Sequence, residues 1–274
     1  MKWRFIDGGV APGPWHMAVD EAVMEAVTAG EAQPTLRLYT WNPPCLTLGY
    51  FQKAQRDVDF DAVNRLGFDV TRRLTGGRAV LHQHELCYSL VLPRHLPGLD
   101  ESVTVSYKQL SRGLAEGFAL LGLPVVMVKP LAHDGRHTGG ACFDALSAYE
   151  LAAEGKKIVG SAQARRDGAL LQHGSILNDL DIDSLFATMR DDDPERLARA
   201  KESFLEKATS IRHIAGAPRP IDELFTAFKK GFELALGRDF GAQFEEGELT
   251  PKERARAKEL EEKVYRAQDW ICRR

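Results

Sequence analysis

The spacing of hydrophobic and polar residues divides the chain into helical and extended segments. Apolar residues recur every three or four positions in three stretches and predict amphipathic helices at residues 17–27, 103–121 and 221–232. Shorter apolar or alternating runs predict strands at residues 3–6, 36–41, 45–50, 68–72, 79–81, 86–92 and 125–128. Elements of both kinds therefore occur along most of the chain.

The order of these elements predicts the fold class. Helices and strands follow one another irregularly, and the strands at 36–41 and 45–50 are expected to form a hairpin across a short turn. The strand at 3–6 is expected at a sheet edge. Asp20, near the start of the first helix, is expected to face solvent. This order favours an α+β fold with a mixed, mostly antiparallel sheet flanked by helices over a doubly wound parallel sheet.

The C-terminal region differs in character from the rest. Residues 251–270 are heavily charged with sparse apolar positions, and we expect them to form one last helix. No internal repeat and no clear linker precedes them. The chain therefore divides into an α+β domain at residues 1–248 and a helical C-terminal extension at residues 249–274 that packs on it.

Composition limits the classes of function. The 274 residues are 44% hydrophobic and 27% charged with a net charge of −3, which argues against a dedicated nucleic-acid partner. The four cysteines form no CxxC pair, so a reducing compartment is favoured. The first residues do not resemble a signal peptide, and no apolar run approaches the roughly 18 residues of a membrane span. We therefore expect a cytoplasmic protein with no membrane partner.

The stretch at residues 139–174 concentrates residues that can carry chemistry. It contains Cys142 directly after three small residues, Lys157 in a GKK turn, and the pair Gly160 and Ser161 within a strand-like run. A thiol that a nearby ammonium can ionise, beside glycines that admit a substrate to the backbone, predicts an acyl-transfer site. Taken alone, however, such a cysteine is more often an inert core residue, and such a lysine is more often solvated.

A second polar cluster precedes this stretch. Arginines flank the turn at Gly76 and Gly77, which favours a ligand that is anionic or bears a carbonyl group. His82 and Glu85 follow the turn, but there is no HExxH motif and no further ligand at a suitable spacing. We therefore expect no metal site there. The chain also lacks the GxxxxGK[ST], GxGxxG and GxSxG motifs, which disfavours P-loop, Rossmann and α/β-hydrolase chemistry.

Several segments together resemble a known superfamily. They are RLYTWNPPCLTLGYFQ (37–52), RRLTGGRAVLHQHELCYSLV (72–91), EGKKIVGSAQ (154–163) and LLQHGSIL (170–177). In this order they are similar to the lipoate-protein ligase and biotin ligase superfamily, whose catalytic domain has an α+β fold. Within it, ACFDALSAYE (141–150) resembles the LipM-type octanoyltransferases, although Leu146 stands where that motif has proline.

The resemblance implies a specific reaction. Residues 1–248 would form the catalytic domain and transfer an octanoyl group from octanoyl-acyl carrier protein to a lysine of a lipoyl domain, that of the glycine cleavage H protein. Cys142 would carry the acyl group as a thioester, and Lys157 would stabilise its thiolate. No metal or cofactor is implied, because a thioester donor is already activated. The residues implied in substrate binding are Arg72, Gly76, Gly77, His82, Gly160, Ser161, Gln163, His173 and Gly174.

Three alternatives stay open from the sequence. An ATP-dependent lipoate or octanoate ligase would use the same fold, with Lys157 on an acyl-adenylate. An amidotransferase would move octanoyl from one lipoyl domain to another. A noncatalytic acyl-binding or partner-docking protein would use the fold without a nucleophile.

Overall fold

The computed structural model describes residues 1–128 and 150–273. Its strands are β1 (Lys2–Ala11), β2 (Thr35–Trp41), β3 (Cys45–Leu48), β4 (Asp69–Arg72), β5 (Val80–His82), β6 (Glu85–Pro93), β7 (Val126–Val128), β8 (Glu150–Ala153), β9 (Lys156–Lys157), β10 (Val159–Arg166), β11 (Ala169–Leu177) and β12 (Gln243–Glu246). Its helices are α1 (Gly13–Thr28), α2 (Ala54–Asp57), α3 (Phe60–Arg65), α4 (Val103–Leu120), α5 (Ile182–Ala187), α6 (Pro194–Lys207), α7 (Ile211–Ala215), α8 (Ile221–Phe240), α9 (Pro251–Leu260), a π-helical turn (Glu261–Tyr265) and α10 (Gln268–Ile271).

A six-stranded mixed sheet forms the central layer, in the order β10-β11-β6-β2-β1-β12. The pairings of β1 with β2 and β12 are parallel, and the other three are antiparallel. The predicted fold class is therefore confirmed. The prediction of an edge strand at residues 3–6 is wrong, because β12 returns after α8 and pairs outside β1. Trp3 and Phe5 are buried and pack against aromatic residues of α8 and β12.

The predicted hairpin at residues 36–50 is also wrong. Both edges of β2 are already taken by β1 and β6, so β3 has no edge of β2 to pair with. Instead β3 lies in a separate three-stranded sheet between β4 (parallel) and β5 (antiparallel). A third small antiparallel sheet consists of β7, β8 and β9.

Helices cover both faces of the central sheet. Helices α4 and α8 pack on one face through their apolar stripes. They approach closely at glycines, since a Cβ added at Gly231 would lie 2.5 Å from the carbonyl oxygen of Gly113. Helix α1 lies on the other face, beneath α9. Within the described ranges, none of the helices has both the length and the apolar character that a bilayer crossing requires.

The C-terminal extension is not the single helix that its charge pattern suggests. Helix α9 begins at a capping box between Thr250 and Glu253, and the chain then passes through the π-helical turn into α10. Glu253 accepts two hydrogen bonds from Arg4, and the Tyr265 hydroxyl donates to Glu21 at 2.6 Å. These contacts hold the extension against β1 and α1. The division of the chain at residues 248 and 249 remains a prediction.

Candidate active site

The nearest described partner of Lys157 is a carboxylate. Lys157 lies on β9 and is buried, and its Nζ donates to Oε1 of Glu150 on β8 at 2.5 Å. Sequence reasoning missed Glu150, although the short hairpin around the EGKK turn brings it close. Cys142 lies outside the described residues, as does Leu146. The pairing of the Cys142 thiolate with the Lys157 ammonium therefore stays a prediction.

Strands β10 and β11 bring three of the predicted residues together. Ser161 is paired with Gly174 across the two strands, and Gly160 with the next residue of β11. The Tyr88 hydroxyl donates to the Ser161 hydroxyl at 2.8 Å. A Cβ at Gly174 would lie 2.5 Å from both the Gly160 carbonyl oxygen and the Ser161 hydroxyl. Gly174 is therefore required for this close approach.

A chain of polar side chains continues along the α4 face of the sheet. Gln172 donates to the Tyr88 hydroxyl at 3.1 Å, and Gln163 donates to Gln172 at 3.2 Å. Gln163 also reaches the Ser106 hydroxyl of α4 at 3.4 Å. The predicted substrate residue Gln163 thus belongs to a network that links β10 to α4.

His173 points to the opposite face, towards α1, because neighbouring residues of a strand alternate. Its Nδ1 lies 3.0 Å from Oδ2 of Asp20, and its Nε2 lies 2.7 Å from the Thr75 hydroxyl. Asp20 is only 1% exposed, so the expectation that it faces solvent is wrong. Burial alone would raise the pKa of Asp20, but Arg37 and His173 outweigh it and hold the pKa below its usual range.

Arg37 connects this carboxylate to a second histidine. It donates to Oδ1 of Asp20 at 2.5 Å and lies 3.2 Å from Nδ1 of His16. Burial and the Arg37 guanidinium lower the pKa of His16 to about 3. The neutral ring therefore accepts from Arg37 and donates from Nε2 to the Thr40 carbonyl at 2.9 Å.

The turn at Gly76 and Gly77 reaches the surface and is held in place by the end of β3 and by Arg73. Gly77 is exposed with φ +91°, a conformation that favours glycine. A Cβ at Gly49 would lie 1.9 Å from the Gly77 carbonyl oxygen, so the turn packs directly on the end of β3. Arg73 donates to the carbonyls of Gly76 and Arg78 at 3.1 and 2.9 Å. The turn is therefore fixed while Gly77 remains accessible.

Arg72 has contacts typical of a structural residue. It is fully buried and donates to the carbonyls of Gly49, Gln52 and Ile271 at 2.6, 2.8 and 2.6 Å. It thereby joins the loop after β3 to the C-terminal extension. Its predicted role in substrate binding stays a prediction.

His82 lies in a buried cluster with Glu85 and Cys87. Its Nδ1 is 2.6 Å from Glu85, its Nε2 is 2.8 Å from the Thr47 hydroxyl, and its ring stacks on Trp41. Within the described part of the chain, this is the group whose potential metal ligands lie close together. However, nitrogen and oxygen ligands of one tetrahedral zinc ion lie roughly 3.3 Å apart, whereas Nδ1 of His82 is only 2.6 Å from Glu85. Burial also raises the pKa of the Cys87 thiol, which disfavours the thiolate that would bind a metal. The short contact and the raised pKa together favour a hydrogen-bonded cluster.

Comparison with known proteins identifies the family. Residues 12–233 match the lipoyl protein ligase A/B catalytic domain. The chain is 46% identical to octanoyltransferase LipM of Kyrpidia tusciae and 42% identical to that of Staphylococcus aureus, with 99% of both chains covered in each case.

Solved structures agree with this assignment. A bipartite lipoate protein ligase from Thermoplasma acidophilum superposes with a TM-score of 0.81 at 27% identity, covering 99% of this chain and 96% of that one. A lipoate-protein ligase A bound with ATP gives 0.78 at 27% identity, with 99% of both chains covered. The resemblance inferred from the sequence motifs is confirmed: the chain belongs to the lipoyl protein ligase A/B family and, within it, to the LipM octanoyltransferases.

Proposed function

We propose that this octanoyltransferase takes the octanoyl group from octanoyl-acyl carrier protein and delivers it to a lysine of a lipoyl domain, such as that of the glycine cleavage H protein. The observation that carries the proposal is the identity to octanoyltransferases over the whole of both chains. Because the reactive thiol must remain reduced, we place the reaction in the cytoplasm.

The proposed reaction has two steps through a covalent intermediate. The Cys142 thiolate attacks the carbonyl carbon of the donor thioester, an octanoyl-Cys142 thioester forms, and the carrier thiolate leaves and takes up a proton. The lysine amine of the acceptor then attacks this thioester. An amide bond forms, the amine loses a proton, and the Cys142 thiolate is regenerated. Neither step needs ATP, because each step begins from a thioester, which is already activated for acyl transfer.

The polar residues of the site support both steps. Lys157, which Glu150 fixes in a buried position, is assigned the role of stabilising the Cys142 thiolate with its positive charge. The developing oxyanion needs backbone N–H donors. We assign this role to the turn at Gly76 and Gly77 or to Gly160 and Ser161. Strand β10 is at the edge of the sheet, so alternate N–H groups point away from β11.

The acyl tail is expected to bind among apolar residues of β2, β3, β5 and β6. These strands bury Trp41, Leu46, Leu48 and Val80. Each methylene removed from water contributes roughly 0.8 kcal/mol, so about six methylenes contribute on the order of 5 kcal/mol. This free energy is large enough to select an octanoyl group over short acyl chains.

A transfer assay without ATP tests the proposal. Wild-type protein should move octanoyl from the carrier protein to a lipoyl domain, and Cys142→Ser should abolish turnover. Cys45→Ser is the matched control, because Cys45 is fully buried in β3, and it should retain activity. Full activity of Cys142→Ser would reject the covalent route.

An ATP-dependent ligase is the second candidate, because solved ligases share the fold and one of them is bound with ATP. Strict dependence of transfer on ATP in the same assay would favour it. An amidotransferase would instead use an octanoylated lipoyl domain as donor in preference to the carrier protein. Comparing the two donors at equal concentration therefore separates these activities.

A further inference from the structure

A continuous series of buried hydrogen bonds connects α1 to the turn at Gly76 and Gly77. Asp20 divides its two oxygens between partners, with Oδ1 on Arg37 and Oδ2 on Nδ1 of His173. His173 continues through Nε2 to the Thr75 hydroxyl. Asp20, His173 and Thr75 are 1%, 5% and 1% exposed. The series therefore lies in the interior and ends one residue before the exposed turn.

The charge of Asp20 determines which nitrogen of His173 carries the proton. A carboxylate only accepts hydrogen bonds, so Nδ1 of His173 must donate to it. In the neutral ring, Nε2 then accepts the hydrogen bond from Thr75. Arg37 fixes the carboxylate in turn, because it is held by Asp20 and His16 at once. Each group in the series thus determines the orientation of the next.

The backbone of Thr75 is held from a second direction. Its carbonyl oxygen accepts from the backbone N–H of Tyr50 at 2.9 Å, while its hydroxyl is held by His173. Arg73 anchors the following residues through the carbonyls of Gly76 and Arg78. Thr75 is therefore the point at which the buried series and the turn are joined.

We infer that Asp20 and His173 are positioning residues for octanoyl transfer: they orient the Thr75 hydroxyl and thereby fix the turn at Gly76 and Gly77 beside the reacting acyl group. The inference rests on the proposed reaction at this site, but it does not depend on which residue is the nucleophile. Thr75 lies within the motif at residues 72–91, but neither Thr75 nor Asp20 was a predicted site residue.

Isosteric substitutions test the inference. In Asp20→Asn, an amide N–H faces Nδ1 of His173, so the ring proton moves to Nε2 and the Thr75 hydroxyl must accept this hydrogen bond instead of donating it, which reorients its own proton. We expect kcat to fall about 10- to 100-fold with KM changed less than about threefold, as for a small displacement of a positioning group. Thr75→Val should cause a similar loss, and Thr75→Ser, which keeps the hydroxyl, should restore most of kcat. The double variant Asp20→Asn with Thr75→Val should have a kcat no lower than that of Thr75→Val alone, because both substitutions interrupt the same series of hydrogen bonds.

A spectroscopic readout separates positioning from stability alone. Nitrogen-15 NMR of the histidine rings, with His173→Gln to assign the signal, should show the proton on Nδ1 in wild type and on Nε2 in Asp20→Asn. The control is Glu253→Gln, which alters a partly buried ion pair with Arg4 outside the hydrogen-bonded series and should leave kcat unchanged. If Asp20→Asn does not fold, Thr75→Val decides the question.

The outcomes are distinguishable. Wild-type kcat in folded Thr75→Val, or in Asp20→Asn with a shifted ring proton, would overturn the inference and leave the proposed function intact. A wild-type protein that transfers no octanoyl would reject both.

Discussion

Removing the positive charge of Lys157 should destabilise the protein as well as inactivate it. The side chains of Lys157 and Glu150 are 5% and 1% exposed, and their charged atoms are 2.5 Å apart. Lys157→Met keeps the length of the side chain but removes the ammonium that donates to the buried Glu150 carboxylate. Breaking a buried ion pair in this way costs about 3–5 kcal/mol. At about 2–4 °C per kcal/mol for a protein of this size, Tm should fall by roughly 6–20 °C.

A double-mutant cycle separates this structural effect from catalysis. Glu150→Gln combined with Lys157→Met removes both charges, and the decrease in Tm caused by Lys157→Met should be at least halved in the double variant. If Lys157 also activates the thiol, the recovered double variant should still transfer no octanoyl. Lys252→Met is the matched control, because its ion pair with Glu31 is on the surface, and it should change Tm by less than about 2 °C.

Thermal unfolding and transfer activity are measured for wild type, Lys157→Met, Glu150→Gln, the double variant and the Lys252→Met control. A Tm of Lys157→Met within 2 °C of wild type, as for an exposed pair, would refute the assignment of a buried pair. A stable double variant with wild-type turnover would refute the catalytic role of Lys157.

Three further predictions follow from the packing and the pKa shifts. Gly231→Ala should lower the free energy of unfolding, measured by urea titration, by about 1–3 kcal/mol, because its Cβ would lie 2.5 Å from the Gly113 carbonyl oxygen. The control Gly237→Ala in the same helix meets no atom nearer than 3.4 Å and should be neutral or stabilising. Burial raises the pKa of the Cys45 and Cys87 thiols, so native protein at pH 7 should react with iodoacetamide at Cys272 but not at Cys45 or Cys87. Rapid labelling of Cys45 or Cys87, detected by peptide mass spectrometry, would contradict their burial. Burial alone would raise the pKa of Glu253, but hydrogen bonds from Arg4 and Thr250 lower it. Glu253→Gln should therefore be less stable than wild type at pH 7, and the difference in stability should shrink below about pH 4 as the wild-type carboxylate is protonated. A difference that does not change with pH would argue against a lowered pKa.

Local periodicity predicted the helices better than the strand pairing. Helices α4 and α8 each bury one continuous apolar face, which the spacing of leucines and phenylalanines records directly. The pairing of β2 was not predictable from its own turn, because a hairpin and a change of sheet use the same turn residues. It was decided by β1 and β6, which occupy both edges of β2.

The candidate site shows the same division between local and distant information. Motifs singled out Lys157, Gly160, Ser161, His173 and Gly174 as predicted site residues. They did not indicate Glu150 and Asp20, the carboxylates that contact Lys157 and His173. Asp20 did carry a signal, since it falls within the apolar stripe of α1 between Met17 and Val23. Its partners are Arg37 of β2 and His173 of β11, and His173 follows it by 153 residues, so the helix pattern alone did not reveal its burial.

The covalent intermediate is the central claim, and intact-protein mass spectrometry tests it most directly. Wild-type protein mixed with octanoyl carrier protein in the absence of ATP and acceptor should gain the mass of one octanoyl group, and peptide mapping should place it on Cys142. Addition of a lipoyl domain should remove the group from the enzyme and transfer it to a lysine. An unmodified Cys142 in an enzyme that still transfers octanoyl, or an octanoyl group on another residue, would contradict the account.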